Sequence, residues 1–129
     1  MTISFEEGKK VNATYNNMLI KTDQSVMAGG EGSAPEPFTL FLASIGTCAG
    51  IYVKSFCDQR GISTKGIKLT QSMKYNPSSK LTDKIILDIQ LPRDFPDKYR
   101  DAVIKAADLC TVKRHLADPP VIEVNADKA

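Results

Sequence analysis

The sequence predicts an α+β fold in which short antiparallel strands surround one long, buried central helix. Two observations carry that reading: an uncharged apolar stretch over 38–53, and period-two alternation of apolar residues over 66–75 and 84–91. Strands are expected over 2–7, 10–15 and 18–22, separated by the turn-prone pairs Gly8-Lys9 and Asn16-Asn17, which makes an antiparallel meander. Residues 23–37 are rich in Gly, Ser and Pro without apolar periodicity and read as a loop. The long helix is expected over 38–60, with Pro37 in its opening turn, Lys54 and Arg60 toward the negative end of its dipole, and Gly61 just past its end. The strands over 66–75 and 84–91 form a hairpin around Asn76-Pro77-Ser78-Ser79. Asp94, Pro96 and Asp97 then open a second helix with Tyr99, Val103, Ala106 and Cys110 as its apolar stripe. A short helix over 111–117, stopped by Pro119-Pro120, and a strand over 121–125 complete the chain.

With 129 residues, 42% of them hydrophobic and 25% charged, the chain is expected to be one domain over 1–129 with one core. Its net charge of +2 comes from interspersed acids and bases, so a nucleic-acid-binding face is not expected. The N-terminus has neither a basic start nor an apolar core with a cleavage site, which points to the cytoplasm. A membrane span needs about 20 apolar residues, and the uncharged stretch falls short of that and contains Thr39, Ser44, Gly46 and Thr47. A soluble core helix is the better reading, and no membrane association is expected. A helix apolar on nearly every face must be covered on nearly every side, which implies a second subunit.

Cys48, Cys57 and Cys110 are an odd number in a chain large enough to build its own core, so a disulfide framework is not expected. A single histidine and the lack of a Cys-x-x-Cys spacing leave zinc without its usual ligands, and no metal is expected. Cys48 and Cys57, nine residues apart on one helix, face opposite ways and lie about 13 Å apart along the axis. They cannot pair, since a disulfide needs Cα atoms within about 7 Å. Any redox pair therefore includes Cys110, and Cys48 is its better partner because Gly46, Thr47, Ala49 and Gly50 leave room around the sulfur. The competing reading is that each cysteine packs as a small apolar residue, which Cys57 between Phe56 and Asp58 suits best.

The run Pro37-Phe38-Thr39-Leu40-Phe41-Leu42-Ala43-Ser44-Ile45-Gly46-Thr47-Cys48, continuing to Val53, Phe56-Cys57 and Arg60-Gly61, resembles the first cysteine motif of the OsmC/Ohr family of thiol peroxidases. Leu109-Cys110-Thr111-Val112-Lys113 with Leu116 resembles the second. The order of elements is similar over nearly the whole chain. The resemblance implies an OsmC-like fold, an intertwined homodimer with sites at the subunit interface, and reduction of organic hydroperoxides by Cys48 as the peroxidatic cysteine. It implies Cys110 as the resolving cysteine, regeneration by a thiol reductant such as dihydrolipoamide, and no cofactor. Members of the family hold the thiolate with an arginine from the N-terminal strands and a glutamate just before the long helix. Here those strands offer only lysines, and Glu36 precedes Pro37, so Lys9 and Glu36 are the nearest equivalents. The reading from another class keeps the fold without catalysis: a homodimeric module binding a small apolar ligand at the subunit interface.

Overall fold

Residues 1–128 are described by the structure, a computed structural model, and divide into two units, Met1–Ser44 and the remainder from Ile45 onward. In the first, β1 (Thr2–Phe5), β2 (Val11–Tyr15) and β3 (Met18–Ile20) form an antiparallel meander. Thr2 lies opposite Thr14, and Ala13 opposite Ile20. The tight turn between β2 and β3 needs left-handed backbone at both central positions, and Asn16 and Asn17 supply it at φ 47° and 60°. Buried Asn12 ties the sheet to the residues after β3, because its Oδ1 accepts the Thr22 N–H at 3.2 Å while its Nδ2 donates to Glu6.

The loop after the meander closes around one carboxylate. Asp23, 1% exposed, accepts the backbone N–H groups of Gln24 (2.8 Å), Glu31 (3.3 Å) and Ser33 (3.0 Å) and the Ser33 hydroxyl (2.7 Å). Its own N–H donates to Pro35 O at 3.2 Å. Donors around an anion favour the charged form, so the Ser33 hydroxyl first, then the backbone groups, pull the Asp23 carboxyl down to about 2. Only glycine fits at position 30, where a Cβ would stand 2.1 Å from Gln24 O and 2.8 Å from Asp23 Oδ1.

Helix α1 (Pro37–Asp58) begins in the first unit and continues in the second. Within the second unit it buries Ile45, Ala49, Val53, Phe56 and Cys57, a stripe at helical spacing. Phe95, Val103 and Ala107 complete that core. Each such side chain removed from water contributes roughly 1–3 kcal/mol. The hairpin of β4 (Lys68–Asn76) and β5 (Leu81–Gln90) packs Leu69, Leu87 and Ile89 against the same cluster, with Leu69 directly opposite Ile89. Helix α1 ends as its sequence requires: Gly61 at φ 64°, the Gly61 N–H on Asp58 O (3.2 Å) and the Ile62 N–H on Cys57 O (2.9 Å), the two bonds of a glycine-terminated helix. By length and composition alone the whole of α1 is apolar enough to cross a membrane, although its uncharged stretch is shorter than a span. Faces outside the stripe, including Phe38, Phe41 and Ile51, stay uncovered within one chain.

The expected second helix is shorter and divided. A 3-10 turn at Asp97–Tyr99 leads into α2 (Arg100–Asp108), and Cys110 lies beyond its end, just ahead of α3 (Thr111–Ala117). The expected strand over 121–125 does not form; Val121, Ile122 and Val124 are exposed and unpaired among the described residues. A strand exists only where a neighbour takes its backbone groups, and apolar alternation alone supplies none.

Asp23 makes the first unit acid-sensitive in a defined window. A depressed carboxyl stabilises the folded state above its unfolded value near 4, and that contribution fades as pH falls from about 4 through about 2. Asp23→Asn should therefore melt at lower temperature than the parent at neutral pH and show a flatter melting-temperature profile across that window, as read by circular dichroism.

Candidate functional site

Cys48, Cys57 and Cys110 are all free thiols, and the fold treats each differently. Cys57 is fully buried in the core, where burial, with Asp58 beside it, pushes its thiol up. Neutral and walled in by apolar neighbours, it packs as the sequence anticipated. Cys48 is half-buried on α1.

Cys110 occupies the position just before the first turn of α3, with its sulfur in the role a serine hydroxyl often takes there. The Lys113 N–H donates to Cys110 Sγ at 3.2 Å, and the Arg114 N–H to its carbonyl at 3.1 Å. At 1% exposure, burial drives the Cys110 thiol up, the Lys113 N–H opposes that, and Cys48, which can accept a hydrogen bond from the protonated Cys110 thiol, raises it further. The two cysteines that the sequence favoured as a pair are therefore neighbours, close enough for each to act on the other.

Beside them lies a polar cluster that sequence reasoning missed. Tyr52 on α1 is hydrogen-bonded through its hydroxyl to Thr111 Oγ1 at 2.9 Å. The Arg114 guanidinium donates to Thr111 Oγ1 (3.2 Å) and reaches Tyr52 Oη (3.5 Å). The signal was present: Tyr52 follows Cys48 by one helical turn, and Thr111 and Arg114 follow Cys110. Sequence reasoning looked for a cation in the N-terminal strands. His115 turns Nδ1 to Thr111 O at 2.7 Å, and Lys113 is paired with Asp108.

Lys9 and Glu36 belong to the first unit. The Glu36 carboxylate accepts the Ser25 N–H at 2.9 Å, a role within the loop, and Lys9 lies over Gly29, its Cε 3.8 Å from where a Cβ would stand. An open cavity of about 450 Å³ reaches Cys110, its walls mainly apolar and including Ile45, Ile86, Leu87 and Leu116, with Lys84 and Lys113 also lining it. Among the described residues no cluster of side chains is suited to a metal ion.

Three comparisons bear on this geometry. The family model described as OsmC-like protein matches residues 30–125, and no protein with a curated description matches the chain. An osmotic stress induced and detoxification response protein from Psychrobacter arcticus superposes with a TM-score of 0.70 at 20% identity, over 88% of this chain and 84% of that one. An organic hydroperoxide resistance protein OsmC from Legionella pneumophila gives 0.54 at 19% identity, over 89% and 85%. At these identities the two structures establish the fold: antiparallel sheets with a long central helix.

Burial sets an order of reactivity among the three thiols. Under native conditions a small alkylating reagent should modify Cys48 first and leave Cys57 untouched until denaturant is added, as read by peptide mass mapping.

Proposed function

The chain belongs to the OsmC-like protein family, and on that premise we propose that it is a cytoplasmic, thiol-dependent peroxidase that reduces organic hydroperoxides through Cys48 and Cys110. The observation that carries this reading is that Cys48, half-buried, and Cys110, buried at the wall of an apolar cavity, are neighbours that act on each other. Cys48 is the peroxidatic residue. As a thiolate it attacks the terminal oxygen of ROOH, the O–O bond breaks, and the alkoxide leaves as ROH after taking a proton. Cys48 is then a sulfenic acid. The Cys110 thiol attacks that sulfur, releasing water and forming a disulfide. Two electrons from a thiol reductant, dihydrolipoamide or another dithiol, restore both thiols. No cofactor takes part.

Burial suits Cys110 to the second step, because a thiol kept neutral and out of solvent competes poorly for peroxide yet is already beside the sulfenic acid when it forms. The apolar cavity at Cys110 suits the alkyl part of a hydroperoxide. The uncovered faces of α1 and the unpaired apolar segment at Val121, Ile122 and Val124 support the intertwined homodimer, in which a second subunit covers them. Lys9 and Glu36, the counterparts that the family resemblance suggested for holding the thiolate, make local contacts within the first unit.

The same cavity favours a second reading, a homodimeric module that binds a small apolar ligand without turnover. One equivalent of an alkyl hydroperoxide separates the two. The peroxidase yields a Cys48–Cys110 disulfide by mass mapping, whereas three unmodified thiols identify the binding module. Cys48→Ser should abolish peroxide consumption, and Cys110→Ser should stall at a sulfenic acid that dimedone traps. Light scattering should give twice the chain mass for the parent.

A further inference from the structure

The strands of the first unit contain no arginine, yet in the second unit Arg114 reaches side chains that lie close to both cysteines in sequence. Arg114 is hydrogen-bonded to two hydroxyls, and each belongs to a segment that carries one of the cysteines. Tyr52 lies one turn beyond Cys48 on the same face of α1, where helical side chains lean back toward the N-terminus and so toward Cys48. Thr111 adjoins Cys110. Among the described residues no carboxylate pairs with Arg114. The other charged groups nearby are Lys84 on β5, Lys113 paired with Asp108, and His115 turned to a backbone carbonyl.

A count of donors gives the cluster a direction. Tyr52 and Thr111 own two hydroxyl hydrogens, and the 2.9 Å bond between them uses one. The guanidinium only donates, and it donates to both oxygens, so neither hydroxyl hydrogen can be spent on it. One O–H is left to point out of the triangle, polarised by the cation behind it. An outward hydroxyl backed by a fixed positive charge is suited to an anion.

We propose that Arg114 is a positioning residue of the thiol site, acting through Tyr52 and Thr111 to aim a hydroxyl donor and positive charge at the anion on Cys48 and at the oxygen that leaves it. The inference rests on the reading of Cys48 as the attacking sulfur. The cluster gives a hydrogen bond and no proton; the alkoxide takes its proton from solvent. Both bonds leave one guanidinium nitrogen, Nη2, so a lysine ammonium, which also carries a positive charge and several donors, can supply part of the same role.

The test measures site-resolved iodoacetamide alkylation of Cys48 across pH, and separately the rate of reaction with tert-butyl hydroperoxide, in parent, Arg114→Gln, Arg114→Lys and Tyr52→Phe. Arg114→Gln should slow Cys48 alkylation at neutral pH about tenfold or more, the scale of one hydrogen bond to an ion, with the deficit vanishing at high pH. Arg114→Lys should recover part of that rate, and Tyr52→Phe should lower the peroxide rate. If Arg114→Gln loosens the fold, alkylation of Cys57 in the same digest reveals it, and Arg114→Lys then decides by its own profile. An unchanged Cys48 profile in a folded Arg114 variant overturns the assignment. Because alkylation needs no peroxide, a shifted profile in a protein whose parent consumes no hydroperoxide retains the role of Arg114 and discards the peroxidase.

Discussion

Antiparallel docking of α2 against the second half of α1 governs the chemistry of the second unit. At one end the Phe56 and Tyr99 rings meet edge to face with centroids 5.9 Å apart, and the Arg60 guanidinium sits 3.8 Å above Phe56 while donating to its carbonyl at 3.1 Å. In the middle, Val103 and Ala107 enter the stripe of Ala49 and Val53. At the other end Tyr52 is bonded to Thr111, and Cys48 lies near Cys110. The cysteine pair thus lies at the far end of a packed seam, and a close-packed interior holds its distances because it has little room to relax.

That seam also explains why the three thiols differ although all lie in or near apolar surroundings. Cys57 faces the seam squarely and is enclosed. Cys48, nine residues earlier, lies at the end of the seam and keeps part of its surface open. Cys110 is enclosed by virtue of its place between two helices, where its sulfur also serves a backbone N–H. Chemical identity is constant across the three; environment assigns the parts.

Much of this was legible from local pattern. The limits of α1, its terminal glycine, the Asn16-Asn17 turn, the hairpin and the short helix over 111–117 come from residues whose preferences act over a few positions. The reasoning that excluded a Cys48–Cys57 pair used only helix geometry. What escaped was non-local. The apolar segment over 121–125 has strand composition, but strand formation depends on a neighbour that local sequence does not name. Cys110 continued the period of α2, yet the chain leaves the helix before reaching it, and the same sulfur caps α3 instead. The Tyr52–Thr111–Arg114 cluster joins residues about sixty positions apart, and hydrogen bonds of that reach leave no periodic trace. Asp23 looked like one polar residue of a loop; its burial depended on donors converging from Gln24, Glu31 and Ser33.

Gly46 carries a further implication. A helix interior prefers alanine to glycine by about 1 kcal/mol, yet a Cβ here would stand 2.8 Å from Gln71 Oε1 of β4. The hairpin therefore presses a carboxamide onto bare helix backbone two residues before Cys48. Because that oxygen ends a flexible side chain, it can swing aside for a methyl group, so the bare backbone at position 46 leaves the helix a site where a small side chain would displace only the tip of Gln71.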